Sequence, residues 1–204
     1  MIVIIDYGMS NLGSMANILR KVGAAATVSA DPGIVERAEK LILPGVGAFD
    51  NGMRQLGERG LVPLLRERAA AGTPVLGVCL GMQLLACRSE EGQLPGLGLI
   101  DARSVRFRPS GGPVPLKVPH MGWNAVHPER DHALFAEMPE EMRFYFVHSY
   151  HVVCADAAAP LARATYGGEF TAAVARDNVM GVQFHPEKSH KFGMRLLRNF
   201  VERC

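Results

Sequence analysis

Tryptophan occurs once in the 204 residues, cysteine four times, and no apolar run approaches the length of a bilayer. A helix that spans a membrane needs about 18 or more consecutive apolar residues, so none is expected here. The start, MIVIIDYG, has only the short apolar run Ile2 to Ile5 and then an acid. That is unlike the basic segment and long hydrophobic stretch of a secretion signal. Without such a signal, the scattered Cys79, Cys87, Cys154 and Cys204 read as reduced thiols in the cytoplasm and not as a disulfide framework. An excess of charge is missing as well. Lys plus Arg number 22 against 20 Asp plus Glu, a formal +2, so the expected partner is a small molecule or a protein and neither nucleic acid nor a membrane surface. No internal repeat or low-complexity tract interrupts the chain. With 48% hydrophobic and 21% charged residues, residues 1–204 suit one domain with a substantial core.

Organisation follows from periodicity. In the first half short apolar runs alternate with amphipathic ones. IVII (Ile2 to Ile5) precedes a helical face of Leu12, Met15, Ala16, Leu19 and Val22 that Gly23 ends,. ATVSA and KLILPG read as strands, FDNGMRQLGERG and LVPLLRERAAAG as helices, and PVLGV as a strand buried on both faces. This β, α, β pattern predicts a mostly parallel central sheet flanked by helices, an α/β fold. From about Leu99 the texture changes to strand-like pieces with turns, SVRF, VPLKV, WNAVH, RFYFVHSYHVV, LARATY and TAAVARDNVMGVQF. The Asp177–Asn178 turn predicts a hairpin, a smaller antiparallel element. RPSGGPVP (Arg108 to Pro115) reads as an exposed loop, and the stripe Phe192, Leu196, Leu197, Phe200 and Val201 as a terminal helix,.

Chemistry concentrates at three strand ends. GVCLG places Cys79 between Gly77 and Gly81 where a strand meets a helix. This is the Gly-x-nucleophile-x-Gly spacing of a nucleophile elbow. A helix's positive end and a nearby imidazole both favour a thiolate; the competing reading is a small buried side chain. GVQFHPEKS offers the base: His185 follows an apolar strand, and Glu187 two residues on is placed to orient it,. Taken without the elbow, the same residues read equally as a solvated turn. LPGVGAF supplies amides near Val46 and Gly47 that, with the amide of Leu80, can hold a developing oxyanion,. It has neither Gly-x-Gly-x-x-Gly spacing nor a phosphate-loop lysine, which argues against a nucleotide site. The two histidines of HSYH (His148 and His151) point to opposite faces of a strand, so no metal is expected there. Gln83 lies one turn beyond Cys79, placed to bind a polar ligand or simply to face solvent. Trp123, in MGWN, reads equally as a surface group or as core.

LPGVGAF, GVCLGMQLL and GVQFHPEKS, in that order and at those separations, resemble the class I (triad) glutamine amidotransferases. IIDYGMSNLGSM, KVPHMGWN and YFVHSYH are similar to the glutaminase subunits that serve imidazole glycerol phosphate synthases in histidine biosynthesis. The resemblance covers nearly the whole chain and implies a flavodoxin-like fold. It also implies hydrolysis of glutamine through a cysteine thioester, with no cofactor. It assigns Cys79 as nucleophile, His185 as base and acid, Glu187 as orienter, and Gly47, Gln83, Ser149 and Tyr150 to the substrate. Asn11, Met121, Trp123 and Lys188 are implied to face a (β/α)8-barrel cyclase that receives the ammonia in a heterodimer. Ser10, where the family commonly has glycine, and the loop Gly111 to Pro113 depart from the pattern without touching these residues. Other expectations on the same residues are a glutaminase for a different synthase, an elbow-cysteine hydrolase of γ-glutamyl peptides, and a non-catalytic flavodoxin-like scaffold.

Because PGVG carries two glycines whose peptide planes rotate at small steric cost, the sequence also predicts a resting state. In it the triad is assembled, but the Gly45 to Gly47 backbone does not offer its amide to Cys79.

Overall fold

The computed structural model describes residues 1–109 and 116–204. Most of the anticipated Arg108 to Pro115 loop, with Gly111 to Pro113, lies outside the described residues. The first half runs β1 (Ile2–Ile5), α1 (Leu12–Lys21), β2 (Ala26–Ser29), α2 (Pro32–Glu36), β3 (Lys40–Gly45), α3 (Phe49–Glu58), α4 (Leu61–Ala70), β4 (Val75–Cys79) and α5 (Leu80–Leu84). β1, β3 and β4 are short and rich in Ile, Leu and Val, with β1 and β4 buried throughout, while the edge strand β2 is partly exposed. Burial on both faces is what a parallel sheet covered by helices requires. Alternation assigns the faces. Ile2 and Ile4 of β1 pack with Met15, Leu19, Leu196 and Phe200 on one side, while Val3 and Ile5 pack with Leu56, Leu61 and Leu65 on the other,.

The second half supplies β5 (Arg88–Ser89), β6 (Ala102–Arg106), β7 (His120–Ala125), β8 (His127–Pro128), β9 (Arg143–His148), β10 (Tyr150–Cys154), β11 (Pro160–Thr165), β12 (Glu169–Arg176), β13 (Val179–Val182) and α6 (His190–Arg203). Along the main sheet the order is β2-β1-β3-β4-β13-β12-β10-β6-β5, with β11 and β8 continuing from β12. The pairs from β2 to β13 are parallel. The hairpin at Asp177–Asn178 then turns the sheet antiparallel, with Val174 opposite Gly181. β7 and β9 form a separate antiparallel pair.

Two expectations need correction. RFYFVHSYHVV is not one strand: it breaks at Ser149 into β9 and β10, which belong to different sheets. The break is anchored by the Phe107 amide, which donates to the Ser149 carbonyl at 2.7 Å. Of VPLKV, the described residues Leu116 to Val118 are not a strand. They lead into the cis bond Val118–Pro119 and leave the side chains of Leu116 and Val118 exposed.

Candidate active site

The carboxyl ends of β1, β3, β4 and β13 share one edge of the parallel half, where such sheets place their ligands. β4 ends on Cys79, opposite Gly45 of β3, and α5 begins at the next residue. The turn holds Cys79 at φ 55°, ψ −110°, a backbone state that costs a non-glycine residue on the order of 1–3 kcal/mol. Its neighbours explain how a helix fits so close behind the strand. A Cβ on Gly81 would overlap the Leu43 carbonyl, and one on Gly77 would stand 2.7 Å from the Gly81 oxygen. The Cys79 thiol is buried, 3.8 Å from the Val147 carbonyl, and Gln183 Nε2 approaches the sulphur at 3.8 Å.

His185 and Glu187 flank the sheet end just past β13. The Nδ1 atom of His185 donates to Glu187 Oε1 at 2.7 Å, both side chains being buried, which turns Nε2 toward the thiol side. Nε2 is buried and makes no hydrogen bond of ordinary geometry. Burial disfavours the imidazolium; the Cys79 sulphur and the Glu187 carboxylate override that penalty and push the pKa up to about 10. Ser189, which no sequence pattern singled out, fixes the segment: its Oγ donates to the His185 carbonyl at 2.6 Å and accepts from the Tyr145 amide at 3.0 Å.

A cavity of about 290 Å³ opens above the thiol, lined among others by Val46, Gly47, Leu80, Gln83, Ser149 and Tyr150. The residues expected at the oxyanion and at the substrate are therefore brought together. Glu91, which the sequence reading missed, lines the same cavity, and its Oε2 accepts the Phe49 amide at 2.9 Å at the start of α3. The Leu80 amide lies in the first turn of α5, where no intrahelical acceptor exists. Val46 is different: its N–H donates to the Met9 carbonyl at 2.6 Å. Because N–H and C=O point oppositely across a trans peptide, the Gly45 carbonyl is directed away from Met9. In this arrangement the Val46 N–H is engaged by Met9 and is not free to donate elsewhere. Tyr7, also missed, explains why residue 45 is glycine. Its hydroxyl is fully buried without a partner, occupies the space a Cβ would need, and is pushed far above its usual range by burial and by Cys79.

The four residues expected at an interface lie on accessible surface. Met121 is 61% and Trp123 42% exposed. Both point outward from β7, and Met121 stands opposite Val147, the residue whose carbonyl faces Cys79. Trp123 stacks on His190 with a 5° interplanar angle, and Lys188 Nζ lies 5.9 Å from the Tyr145 ring centroid. Asn11 is exposed and also caps α1, its Oδ1 accepting the Ser14 amide at 3.3 Å. Among the described residues no helix is long and apolar enough to cross a membrane.

A family model described as glutamine amidotransferase class-I matches residues 3–204. The chain is 57% identical over 99% of both sequences to "Imidazole glycerol phosphate synthase subunit HisH 2" of Pseudomonas aeruginosa. It is 52% identical to the protein of the same name in Methanococcus maripaludis, over the full length of each. Among solved structures, one described as a glutamine amidotransferase superposes with a TM-score of 0.75 at 21% identity, covering 98% of this chain and 97% of that one. A glutamine amidotransferase of Thermotoga maritima superposes with a TM-score of 0.71 at 18% identity over 99% and 96%.

Proposed function

Since this chain belongs to the class I glutamine amidotransferases, we propose that it hydrolyses L-glutamine to L-glutamate and ammonia and delivers the ammonia to a cyclase. The observation that carries the reading is the buried Cys79 at its strained turn beside an imidazole whose Nδ1 is held by Glu187 at 2.7 Å. Cys79 gives its thiol proton to Nε2 of His185, and the sulphur attacks the side-chain carboxamide carbon. His185 gives the proton on Nε2 to the departing nitrogen, the C–N bond breaks, and ammonia leaves a γ-glutamyl thioester. Water then attacks the thioester while His185 takes its proton; the C–S bond breaks, glutamate is released, and His185 returns the proton to the sulphur to regenerate the thiol. Atoms and charge balance without a cofactor. Glu91 offers a carboxylate to the ammonium of the substrate, and Gly47, Gln83, Ser149 and Tyr150 its remaining polar contacts.

The partner on this reading is the (β/α)8-barrel cyclase subunit of imidazole glycerol phosphate synthase, which makes imidazole glycerol phosphate and aminoimidazole carboxamide ribotide in histidine biosynthesis. Support comes from the names of the relatives at 57% and 52% identity and from Met121 and Trp123, large apolar groups left exposed beside the site. Ammonia is protonated in water and lost as a nucleophile, so a seal around Asn11, Met121, Trp123 and Lys188 serves the chemistry. Residues 1–204 act as one glutaminase unit, and the four free thiols fit a cytoplasmic setting.

The test is Cys79→Ala. It should abolish glutamine-dependent synthesis by the chain and cyclase together, leave ammonium-dependent synthesis intact, and remove labelling by a glutamine-analogue electrophile that glutamine otherwise protects against. Retained glutamine hydrolysis in Cys79→Ala would overturn the assignment.

A further inference from the structure

Two histidines take no part in the mechanism above: His148, which lines the glutamine pocket, and His120 behind it. His120 of β7 and His148 of β9 stand directly opposite each other and are buried. Their contact is 2.9 Å, from His120 Nδ1 to His148 Nε2. Their tautomers follow from the groups at either end. His148 Nδ1 lies 2.8 Å from the Tyr150 carbonyl, which only accepts, so Nδ1 carries the proton and Nε2 is an acceptor,. His120 must then donate from Nδ1 and accept at Nε2. That is what Asn124 offers: its Nδ2 donates to the Thr165 carbonyl at 2.8 Å and turns its other hydrogen toward His120 Nε2 at 3.4 Å. Every donor in the line has one acceptor, and an added proton on either ring would set N–H against N–H. Burial keeps both rings neutral, pulling His120 down to about 4 and His148 to about 3. The His120 ring is clasped between Tyr166 and Phe146, at centroid distances of 4.1 and 4.9 Å.

The line continues into the site. The Tyr150 carbonyl that His148 holds also accepts Gln83 Nε2 at 3.0 Å, and the same amide nitrogen donates to Gln183 Oε1 at 3.1 Å. Both Gln83 amide hydrogens are thereby spent, and Oε1 is the group left for a ligand. Gln183 in turn directs its Nε2 at the Cys79 sulphur. Hydrogen bonds thus join Asn124, next to the exposed Trp123, to the pocket and the thiol, with the Tyr150 carbonyl accepting from both the histidine side and the Gln83 side.

We propose that His120 and His148 are positioning residues for glutamine binding: neutral, Nδ1-protonated rings that hold the Tyr150 carbonyl and so orient the Gln83 amide. The proposal rests on the glutaminase reading, and its tests separate the two. In the complex of chain, cyclase and cyclase nucleotide, His148→Gln, whose amide reaches the Nε2 position and leaves the Tyr150 carbonyl with Gln83 as its one remaining donor, should raise KM for glutamine roughly 5- to 100-fold, as losing a buried partner does. Because neither His120 nor His148 hydrogen-bonds to Cys79 or His185, kcat should change less than KM. His148→Asn, whose amide reaches the Nδ1 position, should recover most of the loss. If His148→Asn binds glutamine no better than His148→Gln, or if kcat falls and KM does not, the positioning role is wrong. Independently of activity and of any variant's folding, ¹⁵N NMR of the imidazoles in the parent chain at neutral pH should show Nδ1-protonated neutral rings for both; an Nε2-protonated ring at either position overturns the relay. Failure of the electrophile to label Cys79 in the parent chain would instead sink the glutaminase reading and leave the ring tautomers standing.

Discussion

His185 joins local geometry to a solution property. Folding raises its pKa from the ordinary 6.5 to about 10, against burial and through the Cys79 sulphur and Glu187. Between those values the folded chain holds a proton that the unfolded chain releases, so stability falls as pH rises across the window. The contribution is complete below about 6.5 and gone above about 10. Urea midpoints of the parent chain should therefore decline from pH 6.5 to pH 10 more steeply than those of His185→Asn. Parallel curves would mean that His185 carries no extra proton in the folded state. The elbow and the His–x–Glu spacing were both legible in sequence, because each is a short-range pattern with one chemical purpose. Tyr7, Glu91, Ser189 and Gln183 were not. They reach the site from the ends of β1, β5 and β13, and nothing in DYG, EEG, EKSH or VQF states which side chains those ends will bring together.

At the scale of elements, the approach of α5 to β3 depends on one missing side chain. Gly81→Ala puts a Cβ into the Leu43 carbonyl, and backbone on both sides leaves no flexible atom to give way. A loss of roughly 1–3 kcal/mol or more is expected, the range for forced overpacking. Gly57→Ala is the control: it lies inside α3 with nothing within 4 Å of the added carbon. There alanine should stabilise by roughly 0.5–1 kcal/mol. Chemical denaturation of both variants checks the pair, and equal midpoints would show that α5 can shift. The parallel strands and long helices were readable because burial on both faces and the helical stripe leave strong periodic marks. α2 was missed although its start carries two signals, the Asp31 side chain accepting the Ile34 amide at 3.0 Å and Pro32 in the first turn; five residues are too few for a stripe. The division of β9 from β10 was hidden for a different reason. Phe144 to His148 and Tyr150 to Cys154 are both good strands, and a single residue, Ser149, turns the chain from one sheet to the other.

On the scale of the whole molecule, the Val46 amide held by Met9 and the surface proposed to face the cyclase meet in one segment. Met9, whose carbonyl holds the Val46 N–H at 2.6 Å, lies two residues before Asn11 in the connection from β1 to α1. A cyclase that engages Asn11 can therefore act on the group that keeps the peptide turned away. Rotating the Gly45–Val46 peptide would break that hydrogen bond, worth about 0.5–1.5 kcal/mol net, and bring the Val46 amide toward the oxyanion that forms above Cys79. One missing oxyanion donor costs on the order of 10²–10³ in rate, enough to keep a free glutaminase slow with its thiol and imidazole fully assembled. The partner can shift the peptide only by the free energy with which it prefers the turned state. Binding that does not discriminate between the two states would seal the ammonia path yet leave hydrolysis slow. Glutamine hydrolysis should thus be slowest for the chain alone and fastest with cyclase and its ribonucleotide together, with a span of roughly 10²–10³ between the extremes. Equal rates in the three conditions would show that the Val46 amide is not what limits the resting chain.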